Sequence, residues 1–327
     1  MSEKVRVAMI SGWHVHAKGY ANYLAANPNC EIVAVWDEIP SRGIEWANDL
    51  KCKFYESYEE LLANGEIDAV AISSPTSMHA QLMIAAANAK KHIFTEKVLA
   101  LTNKDAKAIR RAVKKNKVHF TISFPHKTDK AVLLAKEIVD DKKLGTLTYM
   151  RVRNVHSGSI SDWLPAHFYD KSQCGGGAMI DLGAHPMYLI NWFLGMPKYV
   201  SSAFTNVTDR PVEDNAVSLL EYKNGAIGVS ETGFVSIADP YTIEISGTKG
   251  YLRISGGVLS YSCPETDNKK VTVKEFTTFC PQALDYWIDS IVNDTPNEKF
   301  GIDDAVSLTE IMTAAYKSAS SGKKARV

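Results

Sequence analysis

Apolar residues cluster in five short, β-branched runs in the first 124 positions: 5–11 (VRVAMIS), 31–37 (EIVAVWD), 67–73 (IDAVAIS), 92–97 (HIFTEK) and 118–124 (VHFTISF). Short runs without alternation are expected of strands covered on both faces, since each face of a pleat takes every second side chain. Between them the apolar spacing becomes helical, over 16–27, 41–50, 57–64, 78–89 and 103–116. Strands alternating with helices predict a doubly wound parallel sheet of the Rossmann type.

The pattern then changes. An amphipathic helix is predicted over 129–141, after which period-two alternation dominates in 146–156, 215–235, 241–255 and 269–276. The turns KNG and GTKG lie inside two of these stretches, as in antiparallel hairpins. The expected architecture is therefore α/β: a Rossmann domain over 1–124, followed over 125–327 by an α+β domain with a large open, mainly antiparallel sheet. In 215–221 the alternation leaves apolar or small residues on both faces, Ala216, Ser218 and Leu220 against Val217, Leu219 and Glu221. A solvated face would alternate more cleanly, so this surface is expected to meet another subunit in a homodimer or homotetramer.

Composition narrows the partners. With 37 basic and 37 acidic residues the chain has no net positive field, and no nucleic-acid partner is expected. The lysines at 114, 115, 117, 142 and 143 read as solvated helix ends. No stretch has the length of a membrane span, and the N-terminus runs directly into a strand, so a cytoplasmic protein is expected. Five cysteines without CxxC spacing fit reduced thiols better than disulfides or a zinc site.

Three stretches carry candidate chemistry. The first, AMISGWHVHAKGY (8–20), has the position of a phosphate-binding turn, but only Gly12 stands in glycine register, with His14 and Ala17 at the other two places. The amides at the helix start can still bind phosphate, and Asp37, ending the second strand, can accept ribose hydroxyls. A metal at His14 and His16 is not expected, because neither Cys nor carboxylate stands near them in sequence. A cofactor contact and a purely structural role for the two histidines both remain open. The second stretch places Glu96 and Lys97 at the carboxyl edge of the sheet, as ligand-binding groups or as a solvated ion pair. The third, CGGGAMIDLGAHPMYLINWFLG (174–195), leads three glycines into a predicted helix carrying Asp181 and His185 on one face, with Pro186 expected to kink it. A carboxylate and an imidazole in an apolar helix are costly unless paired or used; a core Asp–His hydrogen bond is the alternative.

Together these stretches resemble the glucose-fructose oxidoreductase / inositol dehydrogenase / MocA family over essentially the full chain, including the last helix after residue 302. The resemblance implies hydride transfer between a nicotinamide cofactor and a carbinol carbon of a sugar, inositol or related polyol. It places the family's catalytic lysine, aspartate and histidine on Lys97, Asp181 and His185. It implies cofactor contacts from Gly12, His14, Val15, Asp37, Arg42, Ser74, Pro75, Thr76, His79, Glu96 and Lys97. NAD is expected from Asp37, while Arg42 leaves NADP possible. Aromatics interleaved with polar groups in 156–170 suit a polyhydroxylated substrate, bound by Lys97, His126, Trp163, His167, Asp181 and His185. The sequence departs from the family in having Val98 where proline usually follows the lysine, and His126 where many members carry arginine. Two other readings stay open: an NAD-dependent glycosidase or lyase using transient oxidation, and a cofactor-binding sensor without turnover.

Overall fold

The computed structural model describes residues 4–238, 240–276 and 280–327. In chain order the elements are β1 (Val5–Ile10), α1 (Ala17–Ala26), β2 (Cys30–Trp36), α2 (Pro40–Leu50), β3 (Lys53–Phe54), α3 (Tyr58–Ala63), β4 (Ala69–Ile72), α4 (His79–Asn88), β5 (His92–Thr95), α5 (Asn103–Asn116), β6 (Phe120–Ile122), α6 (Lys130–Asp140) and β7 (Leu147–Val155). They continue with α7 (Lys171–Cys174), α8 (Ala184–Leu194), β8 (Tyr199–Thr205), β9 (Asn215–Glu221), β10 (Ile227–Gly233), β11 (Tyr241–Gly247), β12 (Gly250–Ser255), β13 (Val258–Ser262), β14 (Val271–Val273), α9 (Ala283–Val292), α10 (Ile302–Ser321) and β15 (Ala325–Arg326). The chain forms two compact units. One holds the residues up to Ser123 together with Pro281–Val306, the other Phe124–Cys280 and Ser307–Val327.

In the first unit six parallel strands run in the order β3-β2-β1-β4-β5-β6, the doubly wound arrangement expected from the alternating pattern. Val70, Ala71 and Ile72 of β4 and Val7 to Ile10 of β1 are fully buried, as uniformly apolar strands require. Strand order reverses between β1 and β4, and the crevice at their carboxyl ends is where such sheets bind ligands. β3, only two residues long, is too short to leave a periodic signal. Thr102 caps α5 by accepting the Asp105 N–H at 3.1 Å, and Lys114 and Lys115 occupy its last turn, where cations oppose the helix dipole.

This division differs from a single cut after residue 124. Segment 281–306 returns to the first unit, where α9 packs against β1, β5 and β6 and buries Trp287 beside Phe94, ring centroids 5.6 Å apart. Burial of a large aromatic decides where this amphipathic helix lies, irrespective of chain position.

The second unit is built on a nine-stranded sheet, β14-β13-β12-β11-β7-β10-β9-β8-β15, antiparallel except for β7 against β10. α8 lies against β7 and β10. Met150, Val152, Leu220, Ile243, Ile245 and Leu252 face the buried side. The opposite side carries Arg151, Val217, Leu219, Ile227, Glu231 and Glu244, with Val217 and Ile227 at least 40% exposed. Arg151 bridges Glu231 (2.7 Å) and Glu244 (3.1 Å) across three strands.

Candidate functional site

In the first unit the predicted cofactor residues collect at the carboxyl ends of β1, β2, β4 and β5. Gly12 N–H donates to Asp37 Oδ2 at 2.8 Å, and His14 N–H donates to the Ser73 carbonyl at 3.0 Å, joining the turn after β1 to the loop after β4. Asp37 is buried and fully engaged: Oδ2 also accepts from Arg42 Nε, and Oδ1 from Ile39 N–H and Arg42 Nη2. Burial alone would lower the Arg42 guanidinium, but Asp37 and Glu38 hold it above its ordinary value. Val15 is exposed, and Ser74, Pro75 and Thr76 form the loop leading into α4. His79 is fully buried. Its Nδ1 lies 2.9 Å from the Val98 carbonyl and its Nε2 3.2 Å from the Ser74 carbonyl, so its ring ties two loops together. Burial lowers the His79 pKa despite these carbonyls.

The absence of a carboxylate near the two histidines holds only along the sequence. The sheet brings Glu96 to the turn after β1, with Oε1 2.8 Å from His16 Nδ1 and 3.7 Å from His14 Nδ1. The Tyr20 hydroxyl donates to the same oxygen and lies 2.8 Å from Ser123 Oγ, while Lys97 N–H donates to Oε2 at 3.0 Å. Burial would raise the Glu96 carboxyl, yet the charges of His14 and His16, the His16 hydrogen bond and Lys97 together hold it well below the usual range. Glu96 and Lys97 are both buried, so they are not a solvated surface pair. The Lys97–Val98 peptide is cis.

In the second unit Gly175 ends α7 in the left-handed conformation (φ 85°), and the two glycines after it are a packing device. A Cβ on Gly176 would stand 2.0 Å from the Tyr316 hydroxyl, and one on Gly177 2.1 Å from the Glu213 carbonyl. Glu213 Oε1 accepts N–H groups from Gly177 (2.9 Å) and Met179 (3.1 Å) and the Tyr316 hydroxyl at 2.5 Å, which pins the loop. Two expectations change here. α8 begins only at Ala184, so half-buried Asp181 sits in the preceding turn, its N–H bonded to the Gly177 carbonyl at 3.1 Å, and is not on a helix face with His185. Pro186 is the third helical residue, where the backbone N–H has no intrahelical acceptor, so no helical hydrogen bond is lost and no kink arises from one.

His185 is buried in the first turn of α8, with Nδ1 3.0 Å from the Tyr188 hydroxyl. Its ring meets that of His126 edge-on, centroids 4.8 Å apart. His126 stacks on Tyr241 at 4.5 Å, pairs through Nδ1 with Asp129 at 2.6 Å and donates its backbone N–H to the Tyr188 oxygen at 3.0 Å. Burial, then the Asp129 charge, pushes the Tyr241 hydroxyl well above its usual value. Sequence reasoning missed Asp129, Tyr188 and Tyr241. The first two stand three residues after a singled-out histidine, a spacing that brings helical side chains together; Tyr241 left no such signal. Trp163, 55% exposed, lies beside His156 (4.7 Å), and His167 is half-buried in the following turn. The 156–170 segment is more than a surface loop, because Leu164, Phe168 and Tyr169 join Phe234, Val212 and Ala178 in a small core.

A doubly wound dinucleotide sheet, followed by a large-sheet unit holding the Gly-Gly-Gly, Asp181 and His185 segment, defines an oxidoreductase with an NAD-binding Rossmann fold. The chain belongs to the GFO/IDH/MocA family: the model of the NAD-binding Rossmann domain of this oxidoreductase family matches residues 5–124, and that of its C-terminal domain residues 132–253. It is 30% identical over 269 residues to the scyllo-inositol 2-dehydrogenase (NAD(+)) of Bacillus subtilis strain 168, covering 78% of this chain and 75% of the relative. A levoglucosan dehydrogenase from Pseudarthrobacter phenanthrenivorans is 27% identical over 224 residues, 59% of this chain and 56% of the relative. Among solved structures, levoglucosan dehydrogenase in complex with NADH and levoglucosan has the same fold, with TM-score 0.89 and 21% identity over 99% of this chain and 100% of that one. No helix among the described residues is long and apolar enough to cross a membrane.

Proposed function

We propose that this protein oxidises a ring carbinol of a sugar, inositol or related polyol, with NAD as the coenzyme and reversibly. The observation that carries the reading is the buried His185 imidazole, oriented by Tyr188 beside the His126–Asp129 pair. The coenzyme, when bound, accepts the hydride. Its fit is supported by the turn at Gly12 and by the Asp37 carboxylate at the end of β2, which would exchange an Arg42 hydrogen bond for a ribose hydroxyl. His185 takes the hydroxyl proton, a task suited to an imidazole near neutrality. Asp181 holds a neighbouring hydroxyl or the ring, and the Lys97 ammonium stabilises charge developing on the oxygen. His126, Trp163 and His167 bind the polyol. The dehydrogenase names of the relatives favour net redox turnover over transient oxidation or a silent sensor.

In this reading the first unit binds the dinucleotide, and the second binds substrate and mediates assembly into a homodimer or homotetramer in the cytoplasm. The exposed apolar side chains on the open sheet face support the assembly. The test is a turnover screen of inositols, sugars and their keto forms with NAD and NADP, together with His185→Ala. That variant should lose about 10²- to 10⁴-fold in kcat while holding its cofactor affinity; unchanged turnover would remove His185 from the mechanism.

A further inference from the structure

One nitrogen from each of His14 and His16 and one carboxylate oxygen of Glu96 lie within 4.8 Å of one another. The separations from Glu96 Oε1, 2.8 Å to His16 Nδ1 and 3.7 Å to His14 Nδ1, bracket the roughly 3.4 Å between neighbouring ligands around a tetrahedral ion with bonds of about 2.0–2.2 Å. Side-chain adjustments of roughly an ångström, set by the 4.8 Å span of the ligand atoms, would complete the geometry.

The surroundings fit a ligand set. His14 and Glu96 are buried and held in place, while the His16 side chain is 48% exposed and gives an ion a way in from solvent. The carboxylate is oriented by donors of its own, Tyr20 on Oε1 and the Lys97 N–H on Oε2, and Tyr20 is in turn within 2.8 Å of Ser123 Oγ. Outer partners of this kind aim the ligands in protein metal sites. At least two hydrogen bonds must yield: His14 Nδ1 accepts the His16 backbone N–H at 3.2 Å and His16 Nδ1 pairs with Glu96 Oε1 at 2.8 Å, and an ion would take the lone pairs of both nitrogens.

Donor chemistry selects the ion. Two imidazoles and one carboxylate suit zinc and its neighbours in the first transition row. Magnesium and calcium prefer oxygen alone, and copper(I) prefers sulfur. We propose that His14, His16 and Glu96 form a binding site for one divalent ion of the zinc class, with solvent completing the coordination. The proposal concerns the protein without cofactor or substrate and does not rest on the polyol reading.

The test uses the full chain, freed of any polyhistidine tag and stripped with a chelator. It is titrated with cobalt(II) and followed by visible absorption, and zinc is then added to displace the cobalt. One cobalt per chain is expected, with the intense bands of a low-symmetry, nitrogen-bound ion that disappear on adding one equivalent of zinc. His16→Gln, at a half-exposed position, should keep the thermal transition and weaken binding at least about tenfold. Glu96→Gln should weaken binding at least as much, with a lower thermal transition because the buried carboxylate also contributes stability. The proposal is overturned by the absence of saturable cobalt binding, or by binding of the same strength in His16→Gln.

Discussion

The Tyr188 hydroxyl lies 3.0 Å from His185 Nδ1, and the same oxygen accepts the His126 backbone N–H at 3.0 Å. The oxygen is thus fixed from the backbone, and through it the imidazole plane. Tyr188 acts on the chemistry through His185. Tyr188→Phe should lower kcat by about fivefold, the scale of one hydrogen bond of ~1 kcal/mol, with little change in KM and a displaced pH profile of kcat. A profile identical to that of the unaltered enzyme would make Tyr188 a packing residue only.

Cofactor choice turns on Asp37 and Arg42. The carboxylate repels a 2′-phosphate, and two of its four hydrogen bonds hold the Arg42 guanidinium that could receive it, the other two coming from the Gly12 and Ile39 N–H groups. Fluorescence titration should find NADH bound more tightly than NADPH. Asp37→Ala should narrow that preference by at least about tenfold, or ~1.4 kcal/mol. Tighter NADPH binding by the unaltered protein would reverse the assignment.

Gly177→Ala places a Cβ 2.1 Å from the Glu213 carbonyl, a backbone atom that cannot swing aside. Overpacking of this kind costs about 1–3 kcal/mol. The thermal midpoint should drop, and kcat should drop with it because the Asp181 N–H is anchored on the Gly177 carbonyl. An unchanged midpoint would show that the loop has an alternative path.

Acid should destabilise the first unit in two stages. Burial, with the His119 charge, pushes His92 down to about 4, and burial lowers His79 as well. Both imidazoles therefore bind protons more readily in the unfolded chain, whose histidines titrate near 6.5, and stability is lost as pH falls from about 6.5 toward 4. Glu96 is held low in the folded state, so its contribution is complete above the unfolded carboxylate value of about 4.3 and disappears as pH falls below it. Urea unfolding at a series of pH values should follow this course, and His92→Gln should flatten the first stage. Constant stability from pH 7 to 4.5 would contradict it.

Sedimentation at micromolar concentration should give two or four times the 36.0 kDa of one chain. A mass near 36.0 kDa would mean that the open face of the nine-stranded sheet stays in water despite Val217, Leu219 and Ile227.

By itself the sequence determined the strand–helix alternation, the change to period-two strands after residue 140 and the family of the chain. These are local properties: side-chain period follows from backbone geometry within a few residues, and the Gly-Gly-Gly, Asp181 and His185 segment is a short contiguous motif. Elements with weak or absent periodicity were not legible, such as the two-residue β3. α9 illustrates a different limit, since nothing local says that it returns across more than 150 residues to bury Trp287 against β1, β5 and β6. Only the tertiary structure brought Glu96 onto His14 and His16, 80 positions away from His16, and Tyr188 onto His126, 62 positions away. It also moved Asp181 off the helix, because Gly177 and Glu213 hold the preceding turn. Such meetings are set by sheet order and by how tightly loops pack at strand ends, quantities that depend on the whole core and leave no period in the chain.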